Sequence, residues 1–355
     1  LYIRRFRQVI YINLSGLLKS AYLLYYIYML NTKEKLGAFI VPTGVGASIG
    51  GYAGDASVYA KKFSQISKLI VNPNVVNAGG FSGITDNMFY VEGYSLDEFF
   101  KGNIQIKPSY SNKIGIVFDR AIPEEVLNIH INTLNAVKTV YGVEIAGYEI
   151  TQNNVGVEFF VNESGISTGI VNNIETLNPA VKNLLSLGAE AVAIVCLFED
   201  PENDDGAYAN GSGVDPVGGV EGILSHYISK EFQIPCAHSP AFRDFSISTE
   251  IVNPKASSEY ITPTFLPCVL LGLNNAPKLV KSGGISIDEL DYLVIPFNSI
   301  GCVPVFECIK RGINIYAVQE NKTVLNVTNE QLLQTDRIIQ TRTYDECLDL
   351  ITSSH

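Results

Sequence analysis

Residues 41–56, VPTGVGASIGGYAGDA, gather glycines and small hydroxyl side chains directly after the apolar run AFIVP (38–42). Backbone amides in such a loop can hold an anion where the next helix begins. The ligand-binding candidates here are Thr43, Gly44, Gly46, Ser48 and Gly50, with Asp55 suited to cap the helix that follows. The spacing Gly44, Gly46, Gly50 departs from the dinucleotide fingerprint, because Ile49 stands where the third glycine belongs. A ribose-binding acid is expected about 20 residues further on, but the next strand ends in Asn72 and Asn74. No Gly-Lys-Ser/Thr phosphate loop occurs in the chain. The cofactor is therefore left unknown. What survives is a loop able to approach a carboxylate or phosphate closely, set against glycines that only permit tight chain passage.

In a parallel sheet, ligands bind outside the carboxyl ends of the strands. Those ends are marked by Thr43, Asn72, Asp119, Glu199, Asp200 and Asn298, a generic polar site. Asp119, Glu163, Asp215, His238 and Cys236 are the candidates for residues near the chemistry, with no reaction named for them. Cys236 and His238 sit in PCAHSPAF (235–242), at the end of a short strand between prolines. They are treated as separate candidates, on the expectation that they face opposite sides of the strand. Glu163, in the turn VNESGISTG, and Glu320, in QENKTVLNV, are equally ordinary as polar turn residues.

These groups need a frame, and the alternation of short β-branched runs with amphipathic stretches supplies one. Strands are predicted at 38–42, 68–71, 114–118, 145–150, 155–160, 191–197, 292–297 and 313–318, and helices at 56–66, 123–140, 180–187, 220–229 and 303–311. The fold class is α/β: a mostly parallel multi-stranded sheet with helices on both faces, in Rossmann-like layering. Residues 29–355 read as one globular domain, with lobes 29–112 and 113–355 as the alternative division. His130 shares a helix face with Val126 and Leu134, which makes it a core or boundary histidine rather than a ligand. The long connection 198–219 opens with acidic residues, but a calcium loop counted from Gly206 puts Pro201 and Ser212 at ligand positions. It is read as a solvated acidic stretch followed by a glycine-rich lid, and no metal site is expected.

Composition narrows the classes further. The chain of 355 residues is 46% hydrophobic and carries a net charge of -11, with no basic stripe, which argues against a nucleic-acid partner. Residues 1–28 hold four basic residues and no acidic one, leaving 21 basic against 36 acidic beyond them. That segment is read as an extension upstream of a native start at Met29, or as an amphipathic anchor; without it no membrane partner is expected. All six cysteines lie beyond residue 195 without a C-x-x-C pair, as buried thiols in a reducing compartment would.

PCAHSPAF also resembles the second cysteine motif of aspartate and glutamate racemases, and IPFNS (295–299) their first. The order is reversed and Phe297 replaces the other thiol, so a two-base racemase is not implied. A wider resemblance rests on VPTGVGASIGGYAGDA, FYVEGYSLD (89–97), residues 213–242, TFLPCVLLGL (264–273) and INIYAVQENKTVLNV (313–327). Together these are similar to the cyanobacterial and plastid family called domain of unknown function 3326. The resemblance implies an α/β protein of a plastid or cyanobacterium, and brings no activity or catalytic residue with it. A stromal, plastid-encoded protein fits the many Asn, Ile, Lys and Tyr residues. Two functions stay open: an enzyme acting on a small anionic metabolite, and a non-catalytic metabolite-binding or regulatory protein. The oligomeric state is left unknown.

Overall fold

In a computed structural model that describes residues 34–199 and 206–353, two separate parallel sheets carry the fold. Residues 1–28, the proposed start at Met29 and the acidic residues 200–205 of the long connection lie outside the described residues.

The larger sheet has six strands, in the spatial order Ile338–Thr341, Asn314–Val318, Tyr292–Pro296, Leu36–Phe39, Lys68–Val71, Met88–Tyr90. Every neighbouring pair is parallel. Numbered along the chain, the order is 3-2-1-4-5-6, the doubly wound arrangement that leaves a crevice between the first and fourth strands. Alternation sends Ala38, Ile70, Leu293 and Ile315 into one apolar layer, and Phe39, Leu69, Val71 and Val294 into another. Both faces are thus covered, as a wholly parallel sheet requires.

The smaller sheet has four parallel strands in the order Cys236–Phe242, Ala191–Phe198, Ile114–Phe118, Ile145–Ile150. All of them lie between the third and fourth strands of the larger sheet. The larger sheet therefore draws on the chain on both sides of position 112. Where the chain leaves for the smaller sheet and where it returns, Gln105–Lys107 and Lys278–Val280 pair antiparallel. A hairpin of Val157–Val161 and Ser167–Val171 lies against the helix Gly218–Phe232.

The helix Leu266–Asn274, LPCVLLGLN, links the two sheets. It is apolar nearly all round, which suits burial on several sides. Leu266, Val269, Leu270 and Leu273 share one core layer with Phe39 and Val71 of the larger sheet and with Ile116 and Val195 of the smaller. The helix Glu124–Tyr141 begins after Pro123 and stops at Gly142 in a left-handed conformation, as its sequence predicts. His130 is fully buried on it, with Nδ1 2.9 Å from the carbonyl of Val126. Among the described residues, no helix is long and apolar enough to cross a membrane.

Candidate functional site between the sheets

The glycine loop after the first strand turns mostly toward protein. Gly44, Gly46 and Gly50 all adopt positive φ, but the space they keep clear is filled by the chain itself. A Cβ on Gly44 would lie 2.8 Å from the carbonyl oxygen of Ser167, and one on Gly46 would lie 2.8 Å from the Val214 side chain. The Ser48 hydroxyl donates to the Glu320 carbonyl (3.1 Å) and accepts from the Lys322 amide (2.8 Å). The Asn321 side chain takes the Ile49 amide (3.0 Å) and donates to the Ile49 carbonyl (2.7 Å). Asp55 accepts from the amides of Gly50 and Tyr52, and lies 4.0 Å from the Lys255 ammonium. Burial pushes its carboxyl up to about 6, against those amides and Lys255.

Beside this loop lies a cavity of about 1110 Å³, at the carboxyl edge of the larger sheet and facing the last strand of the smaller. Thr43 and Asn72 reach its wall, together with Tyr52, Asn74 and Asn77. Asn72 is also a brace: its amide group extends the ladder by pairing with both the N–H (3.0 Å) and the C=O (2.7 Å) of Val41. Asn298 stays off the wall and holds the turn after the fifth strand, through Thr323 and the Leu325 carbonyl.

The opposite wall is the start of the helix Gly218–Phe232. Asp215 accepts from the amides of Val217 (3.0 Å) and Gly218 (3.2 Å), so the helix N-terminus is capped from within the chain. Gly219 donates to the Ser167 hydroxyl at 3.2 Å. One turn on, Glu221 is 6% exposed, and its Oε1 has no hydrogen-bond partner. From the short helix Ser257–Tyr260, Glu259 joins the same wall and engages the Tyr208 hydroxyl. Burial raises all three carboxyls, and mutual repulsion adds to it for Glu221 and Glu259. Glu259 is pushed up to about 8, Glu221 is held well above the usual carboxylate range, and Asp215 is raised against its two amide bonds.

At the other end of the cavity, His238 Nδ1 lies 2.9 Å from the Ser225 hydroxyl, and burial lowers the imidazole to about 3, with His226 adding to the shift. The ring is neutral through the physiological range. His226 Nε2 lies 3.6 Å from Glu92, whose carboxylate caps the helix Gly93–Lys101 through Tyr94 and Ser95.

The expectation that Cys236 and His238 face opposite sides is corrected by this geometry. Residues two apart on a strand share a face, and both lie under the helix Gly218–Phe232. What separates them is environment. Cys236 is buried among Val192, Leu224 and Ile228, and that burial holds its thiol well above its ordinary range, whereas His238 opens onto the cavity. Asp119 belongs to the smaller sheet's own switch point. There it accepts from the amides of Ala121 (3.1 Å) and Val155 (3.0 Å), away from the cavity wall. Glu163 is exposed in the hairpin turn, Glu199 pairs with Arg243 at 3.0 Å, and Asp200 lies outside the described residues.

The structure thus brings Thr43, Asn72, Asp215 and His238 to one cavity and leaves the other described sequence candidates off its wall. Glu221, Ser225, His226 and Glu259 were not anticipated. A signal for three of them exists in GVEGILSHY: Glu221 and Ser225, and Gly222 and His226, are four apart, which places a polar stripe on one face of an otherwise apolar helix.

A doubly wound α/β protein with a second parallel sheet inserted, and a cavity at the carboxyl edge of its main sheet, is the class these features define. Within that class, the chain belongs to the family described as "Protein of unknown function (DUF3326)", which it matches over residues 37–355. It is also 38% identical, over 300 residues, to an uncharacterised lipoprotein of the cyanobacterium Synechococcus sp. (strain ATCC 27144), a match covering 81% of this chain and 82% of the relative.

Proposed function

We infer that the cavity between the sheets is a ligand site, and that the protein is an enzyme performing proton transfer on a small polar molecule. The observation that carries this reading is the pairing on one cavity of carboxyls whose affinity for protons is raised, Glu221 and Glu259, with a histidine held neutral, His238. Groups driven apart in this way can hold and accept protons at the same pH. Asp215 and the Ser225–His238 pair complete the set.

The glycine loop supports an anionic ligand less well than its sequence does, since Ser48, Ile49 and Gly50 spend their amides inside the protein. The wall carries Glu92, Asp97, Asp215, Glu221, Asp244 and Glu259, and neither lysine nor arginine among its described residues. An uncharged or cationic molecule therefore suits it better than the anionic metabolite expected from sequence. For location we keep a plastid stroma, supported by the cyanobacterial relative and the Asn- and Ile-rich composition. That relative is named a lipoprotein.

Gly222 provides the test. It lines the cavity, and a Cβ there meets only the His226 ring, at 4.0 Å. Gly222→Phe is expected to keep the fold and abolish retention of any small molecule that native mass spectrometry finds on the wild type. Retention that survives the substitution refutes the cavity as the site. A non-catalytic binding protein would use the same wall, and is distinguished by releasing its ligand unaltered.

A further inference from the structure

The acidic end of the cavity contains a polar atom that the chain does not satisfy. Glu221 Oε1 is buried without a hydrogen-bond partner, although its residue lines the cavity wall. Buried carboxyl oxygens are ordinarily paired, because desolvating one without compensation is costly. Here the nearest charges make matters worse: Asp215 and Glu259 both repel Glu221, and no basic side chain among the described residues acts on any of the three. The cluster is built for something it does not itself contain.

A metal ion is a poor match, since no group of three or more His, Cys, Asp or Glu side chains among the described residues could hold one. A dicarboxylate or phosphate would add to the repulsion. An alkylammonium group has the right properties. It carries one positive charge on three rotatable donors, enough to reach acceptors too widely spaced for a single metal ion. The rings nearby suit it too. Tyr208, on Glu259, lies 5.1 Å from the Tyr52 ring, and Tyr52 already carries the Lys255 ammonium 5.1 Å above its own face.

We propose that Asp215, Glu221 and Glu259 form a subsite for the ammonium group of an amine-bearing ligand, with Glu221 Oε1 as its buried acceptor. This rests on the cavity being the ligand site and names the class of molecule that enters it. The amine lies against the helix start, and the rest of the ligand extends toward Ser225 and His238.

Three probes of one length and different charge test it: 1,4-diaminobutane, 1,4-butanediol and succinate, titrated calorimetrically into the full chain at constant ionic strength. The diamine is expected to bind at least about tenfold more tightly than the other two, and Glu221→Gln to remove about tenfold of that preference. Glu259→Gln should act in the same direction. Both variants replace a carboxyl the fold keeps protonated by a neutral amide of the same shape, so both should melt close to the wild type. Weaker binding is then not a folding defect. Equal or tighter binding of succinate or butanediol, no binding of the diamine, or an unchanged diamine affinity in Glu221→Gln each overturn the subsite. The underlying reading fails separately: diamine binding that persists in Gly222→Phe shows a site elsewhere, whereas succinate binding lost in Gly222→Phe keeps the cavity and removes the ammonium.

Discussion

Residues 41–56 and 213–226 are both glycine-rich turns leading into a helix at the edge of a parallel sheet, yet they do opposite things. In the first, glycines make room for protein: Gly44 approaches Ser167, and Ser48 and Ile49 bond to the turn around Asn321. In the second, Gly219 packs against backbone, while Gly222 borders open space beside Glu221, Ser225 and His226. A glycine reports that something comes close. Whether that is a ligand or another stretch of chain depends on contacts far away in sequence.

The comparison can be broken most sharply at Gly219. A Cβ there would fall 1.9 Å from the Ser167 carbonyl oxygen, so Gly219→Ala should cost about 3 kcal/mol or more in urea unfolding. A loss below about 1 kcal/mol would mean that the helix start and hairpin are not locked together. Gly44→Ala comes next, combining a φ of 72° with a contact at 2.8 Å, and is expected to cost about 2 kcal/mol. A ligand affinity changed by more than that stability loss would return the glycine loop to the site.

The pH dependence of stability tests the acidic end of the cavity by a different route. As pH rises from the unfolded carboxyl range near 4.5 toward about 8, the unfolded chain releases a proton that folded Glu259 retains. Stability should fall there by up to about 1.4 kcal/mol per pH unit for this group, with Asp215 and Glu221 acting in the same sense. As pH drops from 6.5 toward about 3, the unfolded chain takes up a proton that buried His238 refuses, and stability falls again. With three raised carboxyls against one lowered imidazole, the melting temperature should therefore peak at about pH 4.5 and fall as pH rises above it, and Glu259→Gln should flatten the alkaline side. A peak near pH 8 in the wild type would contradict the buried acidic end.

The smallest effect expected is a gain. Gly222→Ala removes a helix-interior glycine without a clash and should raise stability by up to about 1 kcal/mol in thermal unfolding. Destabilisation would place a protein neighbour, rather than a cavity, over this face.

Much of the frame was legible, because β-branched runs bounded by turns mark strands wherever the runs are long enough. KLIV, IGIVF and IAGYEI form the strands Lys68–Val71, Ile114–Phe118 and Ile145–Ile150 with the predicted bounds, and the helix Val303–Arg311 has its predicted ends. Met88–Tyr90 and Ile338–Thr341 were missed; each has only three or four residues and is held by its parallel neighbour more than by its own pattern. The helix Leu266–Asn274 was missed for another reason. Buried on several sides, it shows no amphipathic period. Of the site, Thr43 and Asn72 were within reach because they follow strands, and Asp215 and His238 because their residue types are conspicuous. Glu259 was not: it comes from a four-residue helix, and only the fold of residues 243–263 brings it to Asp215. The separation into two sheets was likewise invisible, since local periodicity says nothing about which strands pair.

The antiparallel pair Gln105–Lys107 and Lys278–Val280 bears on how such a molecule is put together. Departure and return occur side by side, so residues 108–277 attach to the six-stranded sheet at one place and interrupt none of its strands. That is the topology of one continuous segment inserted into a six-stranded doubly wound sheet. The six-stranded sheet and its helices thus supply one wall of the cavity with Glu92 and Asp97, and the inserted segment supplies Asp215, Glu221 and Glu259 opposite.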